Sequence, residues 1–375
     1  MSDATSDLPG WKGGGLNRLI AKPNFQSWAS KFFLTRGTAR RDGAELFDLV
    51  QGFVSSQVLM ALVELDVFRR LRAGPLSAAA MGKAVDVPAD RMEIALQAGA
   101  ALGLLKRRRD GRFALARKGA ALMGVPGLPE MIRHHRAFYA DLSDPVGLLR
   151  GPQDTQLSAF WPYVFGAAQA EDPATAETYS DLMTKSQHLV AEDTLRAVKM
   201  DGITRLLDIG GGTGAFLTAV GQAHAGPELH LFDLPAVVPD ASANFAQAGL
   251  ADRAHVHAGS FRDDPLPDVG ADAISLIRVL YDHADATVMA LLAKVFDALP
   301  PGGRLIVSEP MAGGAQPERA GDVYFAFYTM AMQTGRARSA ARIGEMCAEV
   351  GFEAIQSPRP ARPYVTRTLC ARKPA

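Results

Sequence analysis

The sequence contains little cysteine and no excess of charge of either sign. Two cysteines among 375 residues exclude a disulfide framework and favour a reducing cytoplasm. Forty Lys and Arg residues balance forty Asp and Glu residues, which argues against nucleic-acid binding through bulk charge. There is no uninterrupted run of about 18 apolar residues, so no membrane-spanning helix is expected. The opening residues also lack the basic and apolar regions of a secretory signal.

The length and composition are those of a folded chain with more than one domain. Hydrophobic residues make up 48% of the sequence and charged residues 21%, which excludes the disordered and coiled-coil classes. The pattern predicts an N-terminal arm, a winged-helix domain, a helical pocket region and an α/β domain, over residues 1–43, 44–125, 126–199 and 200–375. The arm carries Trp11 and Trp28 among scattered apolar residues, so we expect it to pack on another surface.

Helical patterns followed by a small hairpin predict a winged-helix module in the second segment. Ser77 is the predicted cap of one helix, and Arg91–Leu104 forms another. Asp110 and Gly111, between two short strands, signal the hairpin. The basic cluster Lys106–Arg109 leaves two interpretations open, a DNA-binding wing or a solvated surface beside a dimer interface. The largely apolar helix before the wing favours the interface.

The third segment is mostly helical and rich in aromatic residues. They are expected to form core and one wall of an apolar pocket, and they are Phe138, Tyr139, Phe160, Trp161, Tyr163, Phe165 and Tyr179. His134, His135 and His188 also lie here, but no second set of ligands follows at metal spacing. We therefore expect no metal site.

From residue 200 onward, short apolar runs alternate with helical patterns. This alternation predicts a doubly wound parallel sheet with strands over 205–209, 229–233, 255–258, 273–279 and 304–309. Two further strands, 352–356 and 364–372, follow without a helix between them. An antiparallel hairpin that closes a parallel sheet is typical of the class I, Rossmann-like methyltransferase domain.

A glycine-rich turn from Asp208 to Phe216 follows the first of these strands and opens a helix. Gly210, Gly212 and Ala215 also satisfy the pattern of a dinucleotide-binding turn, so a nicotinamide dinucleotide and S-adenosylmethionine are both candidates. The carboxylate of Asp208 suits the cationic amino acid and sulfonium of S-adenosylmethionine better than a pyrophosphate. Asp233 ends the next strand and suits the ribose hydroxyls of either ligand. The sequence favours S-adenosylmethionine.

Five motifs together resemble the small-molecule O-methyltransferases of the caffeate and acetylserotonin type. They are Leu207–Gly214, Phe232–Pro235, Gly259–Phe261, Arg278–His283 and Gly302–Glu309. The resemblance covers most of the chain and implies a homodimer formed through the N-terminal module. Within the family, the arm and the segments that follow it look like the bacterial carotenoid O-methyltransferases, through Asn17–Ile20, Leu34–Arg36, Leu46–Leu49 and Gly52–Val54.

The resemblance implies a role for each matching position around the cofactor. The methionine part would lie at Asp208, Gly210 and Gly212, and Asp233 with Leu234 would bind the ribose side. Ser260 and Phe261 would border the adenine, and Arg278 would form a polar edge of the cofactor site. The family usually has Asp where this chain has Ser260, which weakens the expected adenine contact. S-adenosylhomocysteine would be the product.

The catalytic positions depart from the family pattern. The family's general base is a histidine, and Tyr281 stands at that position. Glu309 matches one of two family glutamates, whereas the other falls near Ala337 and is absent. We expect Tyr281 to position the acceptor hydroxyl while proximity supplies most of the rate. Glu309 and His283 are the further candidates for accepting or directing the proton.

The acceptor side of the sequence is apolar. A helix from Asp322 to Met332 carries aromatic residues and methionines that suit a long polyene. The resemblance implies transfer to the tertiary hydroxyl of an acyclic carotenoid. A phenol, polyketide or tetrapyrrole acceptor remains an alternative, and so does a winged-helix regulator with a vestigial cofactor domain. For the carotenoid we expect a cytoplasmic protein that contacts the photosynthetic membrane through its arm.

Overall fold

The computed structural model describes residues 15–160 and 187–375, which form two compact units that divide after Ala120. The expectations for Trp11, Trp161, Tyr163, Phe165 and Tyr179, and for the side chain of Phe160, fall outside what the structure describes. From residue 15 onward, the first unit contains six helices, at Gly15–Ile20, Pro23–Ala29, Arg36–Glu64, Val67–Leu71, Ala78–Val85 and Ala89–Ala101. A seventh helix, Arg117–Gly124, crosses the division between the units.

The predicted hairpin of the first unit is present. Strands β1 (Leu105–Arg107) and β2 (Phe113–Leu115) pair antiparallel. The turn between them uses a left-handed Gly111, with φ of 77°, and the Asp110 carboxylate accepts the backbone N–H of Arg112. Ser77 caps its helix as predicted, because its hydroxyl accepts the N–H of Ala80 at 3.2 Å.

The long helix Arg36–Glu64 crosses the boundary expected between the arm over 1–43 and the winged-helix domain over 44–125. No glycine or proline interrupts the pattern strongly enough to end it, so it runs unbroken through residues 43 and 44. It exposes a row of large apolar side chains, Leu46, Phe47, Leu49, Val50, Phe53 and Val54. By length and mean hydropathy this helix could cross a membrane, although the polar residues Gln51, Ser55, Ser56 and Gln57 interrupt its apolar stretch over 49–63.

The second unit is built on a seven-stranded sheet. Its strands are β3 (Arg205–Ile209), β4 (Glu228–Asp233), β5 (Ala254–Ala258), β6 (Ala273–Ile277), β7 (Arg304–Glu309), β8 (Glu353–Gln356) and β9 (Arg367–Arg372). The spatial order is β5-β4-β3-β6-β7-β9-β8, with β9 antiparallel to β7 and to β8 and the other pairs parallel. The predicted doubly wound sheet with a terminal antiparallel hairpin is therefore confirmed.

Helices cover both faces of this sheet. One face packs against the helices over 187–197, Ala215–Ala223 and Val238–Gln247, around a core that includes Leu206 and Leu229. The other face packs against Asp285–Ala298 and Ala340–Val350 around Leu207. The central strands are buried almost throughout, which explains their continuous apolar sequences.

The remaining helices of this unit are grouped around an aromatic cluster. Helices Leu128–Asp141, Pro145–Arg150 and Gln156–Phe160 precede the sheet, and a π-helical turn at Arg319–Phe325 continues into the helix Ala326–Met332. Phe138, Leu148, Leu157 and Tyr328 form the centre of the cluster. The aromatic helix predicted from Asp322 is thus present.

Candidate functional site

The glycine turn lies at the carboxyl end of β3, where parallel sheets commonly bind ligands. Gly210, Gly212 and Gly214 have φ values of 68°, 59° and 80°, a region that other residues rarely adopt. A Cβ at Gly214 would lie 2.6 Å from the ring of Phe245, whereas one at Gly212 would point into open space. The backbone of the turn therefore borders an open space, with no side chain at Gly212 to fill it.

Asp208 lies directly beneath this turn and is fully buried. Its Oδ1 accepts the hydroxyl of Ser275 at 2.6 Å, whereas its Oδ2 has no hydrogen-bond partner among the described residues. Burial raises the pKa of Asp208 to about 7, with a further contribution from the charge of Asp233. A buried carboxylate oxygen without a partner is costly, so this position fits a cationic group of a bound ligand.

Asp233 ends β4 at the same edge of the sheet. Its two oxygens accept the backbone N–H groups of Gly212 and Leu234, each at 2.7 Å. Burial raises the pKa of its carboxyl above the ordinary range. These two bonds fix the carboxylate against the glycine turn and leave its remaining lone pairs for hydroxyl donors.

The segment after β5 carries the positions expected near the adenine. The hydroxyl of Ser260 donates to Asp263 at 2.9 Å. The ring of Phe261 meets the His283 ring edge-on at a centroid distance of 5.2 Å. His283 Nδ1 lies 2.8 Å from the guanidinium of Arg262, so this nitrogen is the acceptor and Nε2 carries the proton. Burial and the nearby arginines lower the pKa of His283 to about 3.

The loop after β6 begins with a strained residue. The prediction that this strand continues to residue 279 was wrong, because the chain leaves the sheet at Arg278 with a left-handed φ of 58°. The N–H of Arg278 donates to Ser308 at 2.8 Å, and its guanidinium donates to the Tyr281 hydroxyl at 3.1 Å. Val279 packs on the glycine turn, since a Cβ at Gly210 would lie 2.9 Å from its side chain.

Tyr281 is buried, with 2% of its surface exposed, and its hydroxyl is hydrogen-bonded within the protein. Arg278 donates to this hydroxyl at 3.1 Å. Burial raises the pKa of Tyr281 further above its ordinary value and raises that of Asp282 to about 7. The Tyr281 hydroxyl is therefore neutral and holds the Arg278 guanidinium in place.

Glu309, at the end of β7, is hydrogen-bonded to the backbone of the same loop. Its Oε2 accepts the N–H of Tyr281 at 3.2 Å, and its Oε1 has no partner in the part of the chain that the structure describes. Burial raises the pKa of Glu309 to about 8. Near neutral pH this carboxyl is therefore mostly protonated and is a poor proton acceptor.

Arg338 is a positioning residue that sequence reasoning missed. Its buried guanidinium donates to the carbonyl oxygens of Leu280 and His283 and pairs with the Asp285 carboxylate at 2.6 Å. These bonds clamp both ends of the loop that contains Tyr281. An arginine surrounded by small and polar residues gave no sequence signal for this role.

Two histidine–tyrosine pairs, also missed as a site, lie in the aromatic cluster. His134 Nε2 lies 2.7 Å from the hydroxyl of Tyr328, and His135 Nε2 lies 2.8 Å from that of Tyr324. The partners are 194 and 189 residues apart in the chain, so only the tertiary fold brings them together. Among residues 15–160 and 187–375, no group of three His, Cys, Asp or Glu side chains could hold a metal.

Family comparisons identify two domains in this chain. An O-methyltransferase domain matches residues 139–353, and an O-methyltransferase dimerisation domain matches residues 47–124. Demethylspheroidene O-methyltransferase of Cereibacter sphaeroides is 54% identical over 358 residues, which covers 96% of this chain and 94% of that protein. The protein of the same name from Rhodobacter capsulatus is 49% identical over 340 residues, covering 91% and 84%.

A solved structure gives the same assignment. Human N-acetylserotonin methyltransferase in complex with SAM aligns with a TM-score of 0.77 and 25% identity, over 89% of this chain and 98% of that one. The glycine turn, the unpartnered Asp208 oxygen and the terminal hairpin agree with these matches. The chain belongs to the family of S-adenosylmethionine-dependent O-methyltransferases.

Proposed function

We propose that this enzyme methylates the C-1 tertiary hydroxyl of an acyclic carotenoid, as a step of spheroidene formation. The name shared by the two bacterial relatives, at 54% and 49% identity over most of the chain, carries this proposal. The helix Ala326–Met332 supports it, because Tyr328, Ala331 and Met332 belong to an apolar cluster suited to a polyene.

The chain's own residues fit S-adenosylmethionine. The Asp208 oxygen, which lacks a partner in the described structure, would receive the donor's ammonium group, and the bare backbone at Gly210 and Gly212 would border its methionine part. Asp233 with Leu234 would bind the ribose, and Ser260 with Phe261 would border the adenine. When bound, the cofactor supplies a methyl group on a positively charged sulfur, which a water-poor site favours for transfer.

The residues at the family's catalytic positions act by positioning. The Tyr281 hydroxyl accepts a hydrogen bond from Arg278, and the Glu309 carboxyl accepts the backbone N–H of Tyr281. His283 offers a protonated Nε2 and has a strongly lowered pKa, so it is a weak candidate for the base. Holding the acceptor hydroxyl near the methyl group lowers the activation free energy by about 7–11 kcal/mol. In this mechanism that positioning is the main contribution to the rate.

A transfer assay with labelled donor tests the acceptor. Purified protein is mixed with radiolabelled S-adenosylmethionine and detergent-dispersed acceptors: a 1-hydroxy acyclic carotenoid, the carotenoid without the hydroxyl, a phenol, an aromatic polyketide and a tetrapyrrole. We expect label in the hydroxylated carotenoid alone. Label in the phenol, polyketide or tetrapyrrole at equal or higher kcat/KM would replace the carotenoid by that acceptor class.

The N-terminal arm supplies a route to a membrane-dissolved acceptor. Residues 15–41 contain six basic residues and no acidic residue, although the whole chain is neutral. Large apolar side chains are exposed in the same segment, namely Leu16, Leu19, Ile20, Trp28, Phe33 and Leu34. Basic and aromatic residues together suit the interface of an anionic membrane. We therefore propose a cytoplasmic enzyme that binds the inner, photosynthetic membrane through this arm.

The homodimer is proposed to form through the exposed row of the long helix. The dimerisation domain match begins at residue 47, inside Arg36–Glu64, and the exposed row from Leu46 to Val54 lies at that end. An apolar row of this extent is unusual on a monomer and suits an interface between identical chains.

A further inference from the structure

The aromatic cluster contains the polar groups best suited to handle the acceptor's proton. His134 and His135 are adjacent on the helix Leu128–Asp141, and Tyr324 and Tyr328 lie one turn apart on the opposing helical segment. Each histidine bonds one tyrosine hydroxyl. The stacked rings of Tyr324 and Tyr328, with centroids 5.8 Å apart, hold both hydroxyls in one cluster.

The protonation of His135 is fixed by its backbone partner. Its Nδ1 lies at hydrogen-bond distance from the carbonyl oxygen of Met131, and a carbonyl can only accept. Nδ1 therefore carries the proton, Nε2 is the acceptor, and the hydroxyl of Tyr324 donates to it. The oxygen of Tyr324 keeps lone pairs for another donor, which is the arrangement of a hydroxyl activated by a base.

Of the two tyrosines, Tyr324 is the more exposed. Tyr324 is half-buried, whereas Tyr328 is only 6% exposed. The segment that carries Tyr324 packs against this edge of the sheet, because a Cβ at Gly321 would lie 2.2 Å from the carbonyl oxygen of Met311, just after β7. Beyond the helix that follows, the N–H of Arg336 donates to the carbonyl oxygen of Tyr281 at 2.8 Å, so the helix ends on the loop after β6. That loop packs on the glycine turn through Val279. The helical segment with Tyr324 therefore lies at the edge of the sheet where the cofactor and acceptor would meet.

We propose that Tyr324 and His135 form the proton relay of the methyl transfer, in place of the base absent at position 281. The inference rests on the proposed function. As the bond from acceptor oxygen to methyl forms, the bond from sulfur to methyl breaks and its electron pair stays on sulfur. The acceptor's proton passes to the Tyr324 oxygen while the Tyr324 proton passes to Nε2 of His135, which later releases it to water.

The surroundings of His135 suit an acceptor that stays neutral until the reaction. Phe138, Tyr139 and Tyr324 pack around its ring, and His134 is its neighbour. Burial lowers the pKa of His135, and it lowers that of His134 to about 4. Because His135 is already unprotonated at neutral pH, the relay needs no prior deprotonation.

Single-turnover kinetics of matched variants test the relay. Tyr324→Phe keeps the ring and removes the hydroxyl, and we expect the transfer rate to fall about 10²–10⁴-fold while the cofactor Kd stays within twofold. Tyr328→Phe, which removes the twin hydroxyl, should lower the rate less than tenfold. A Tyr324→Phe rate within threefold of wild type, or equal losses in both variants, would overturn the relay.

Chemical rescue separates proton transfer from structural support. His135→Ala leaves a space the size of an imidazole, and added imidazole should restore much of its rate but none of that of Tyr324→Phe. If His135→Ala does not fold, His135→Gln serves, and its rate should rise with pH as hydroxide replaces the histidine. No rescue and no rise with pH would reject the role of His135. Wild-type protein inactive on every hydroxylated carotenoid would instead reject the proposed function.

Discussion

At the scale of single residues, the site contains a backbone conformation that only the surrounding hydrogen bonds explain. Arg278 adopts a left-handed backbone that costs a residue with a side chain on the order of 1–3 kcal/mol. It is retained by its bonds to Ser308 and Tyr281. Such strain clusters at functional sites, and neither the strand pattern nor the residue type could have predicted it.

Asp208→Asn is expected to weaken cofactor binding about 10–100-fold. The neutral amide loses a charge-assisted bond to the donor's ammonium group, and such bonds contribute about 1.5–3 kcal/mol. The wild-type affinity should also depend on pH. The pKa of Asp208 without ligand is about 7, so affinity should fall, by up to about tenfold per pH unit, as pH drops below that value.

Titration calorimetry at pH 5.5, 6.5, 7.5 and 8.5 measures both effects. Asp208→Asn should give a Kd that changes little over this range, and the exposed Asp252→Asn serves as a control with wild-type behaviour. An unchanged Kd in Asp208→Asn, or the same pH dependence in both variants, would place the cofactor's cation elsewhere.

Glu309→Gln is expected to remove part of the pH dependence of stability. The folded protein keeps the Glu309 proton up to a pKa of about 8, whereas the unfolded chain loses it near 4.5. The unfolding free energy of the wild type should therefore fall as pH rises through this window, by at most about 1.4 kcal/mol per unit from this group. A glutamine mimics the protonated acid and cannot ionise.

Urea denaturation at pH 5, 6, 7 and 8 follows this difference. The free energy of unfolding of Glu309→Gln should rise relative to that of the wild type as pH increases. The free energy of unfolding of the exposed Glu353→Gln should change with pH as that of the wild type does. Parallel curves for Glu309→Gln would mean that Glu309 is ionised in the folded protein.

At the scale of secondary-structure elements, the sequence predicted where turns and helix caps lie better than where a helix begins and ends. The hairpin at Asp110-Gly111 and the cap at Ser77 were predicted because turn and cap residues act locally. The helix Arg36–Glu64 was divided wrongly at residue 43, since its apolar residues recur at helical spacing only from Leu46 onward and the first turns are polar and charged. Helical spacing of apolar residues marks one face of a helix and does not fix the residue at which the helix begins.

The same helix provides the prediction for the dimer. Phe53→Asp places a charge in the exposed apolar row and should weaken dimerisation about 100-fold or more, because the apolar burial is lost and the charge is desolvated. Leu149→Asp makes a similar change at a residue that is 64% exposed outside the dimerisation domain match. Sedimentation equilibrium should find Phe53→Asp monomeric and Leu149→Asp dimeric; a Phe53→Asp dimer of wild-type affinity would exclude this face.

At the scale of the whole molecule, the fold was predictable and the proton chemistry was not. Strand alternation, the glycine turn and the terminal strands follow chain order, so the sheet could be inferred from sequence. The pairing of His135 with Tyr324 joins residues 189 positions apart through two different helices. A histidine in an aromatic segment and a tyrosine in an apolar helix both resemble ordinary core until the fold brings them together.

Membrane binding through the arm is a property of the whole enzyme and is tested on it. Flotation with vesicles of phosphatidylglycerol should retain the protein at low salt, whereas phosphatidylcholine vesicles or 0.5 M salt should release it. Replacing Lys22 and Lys31 by Glu should lower binding about tenfold or more, since each basic residue near an anionic surface contributes about 1 kcal/mol. Lys83→Glu changes an exposed lysine outside the arm and should bind as the wild type does. Equal binding to both lipids, or equal losses in the arm and control variants, would reject membrane binding through the arm. The exposed apolar residues of the arm would then be expected to pack on protein.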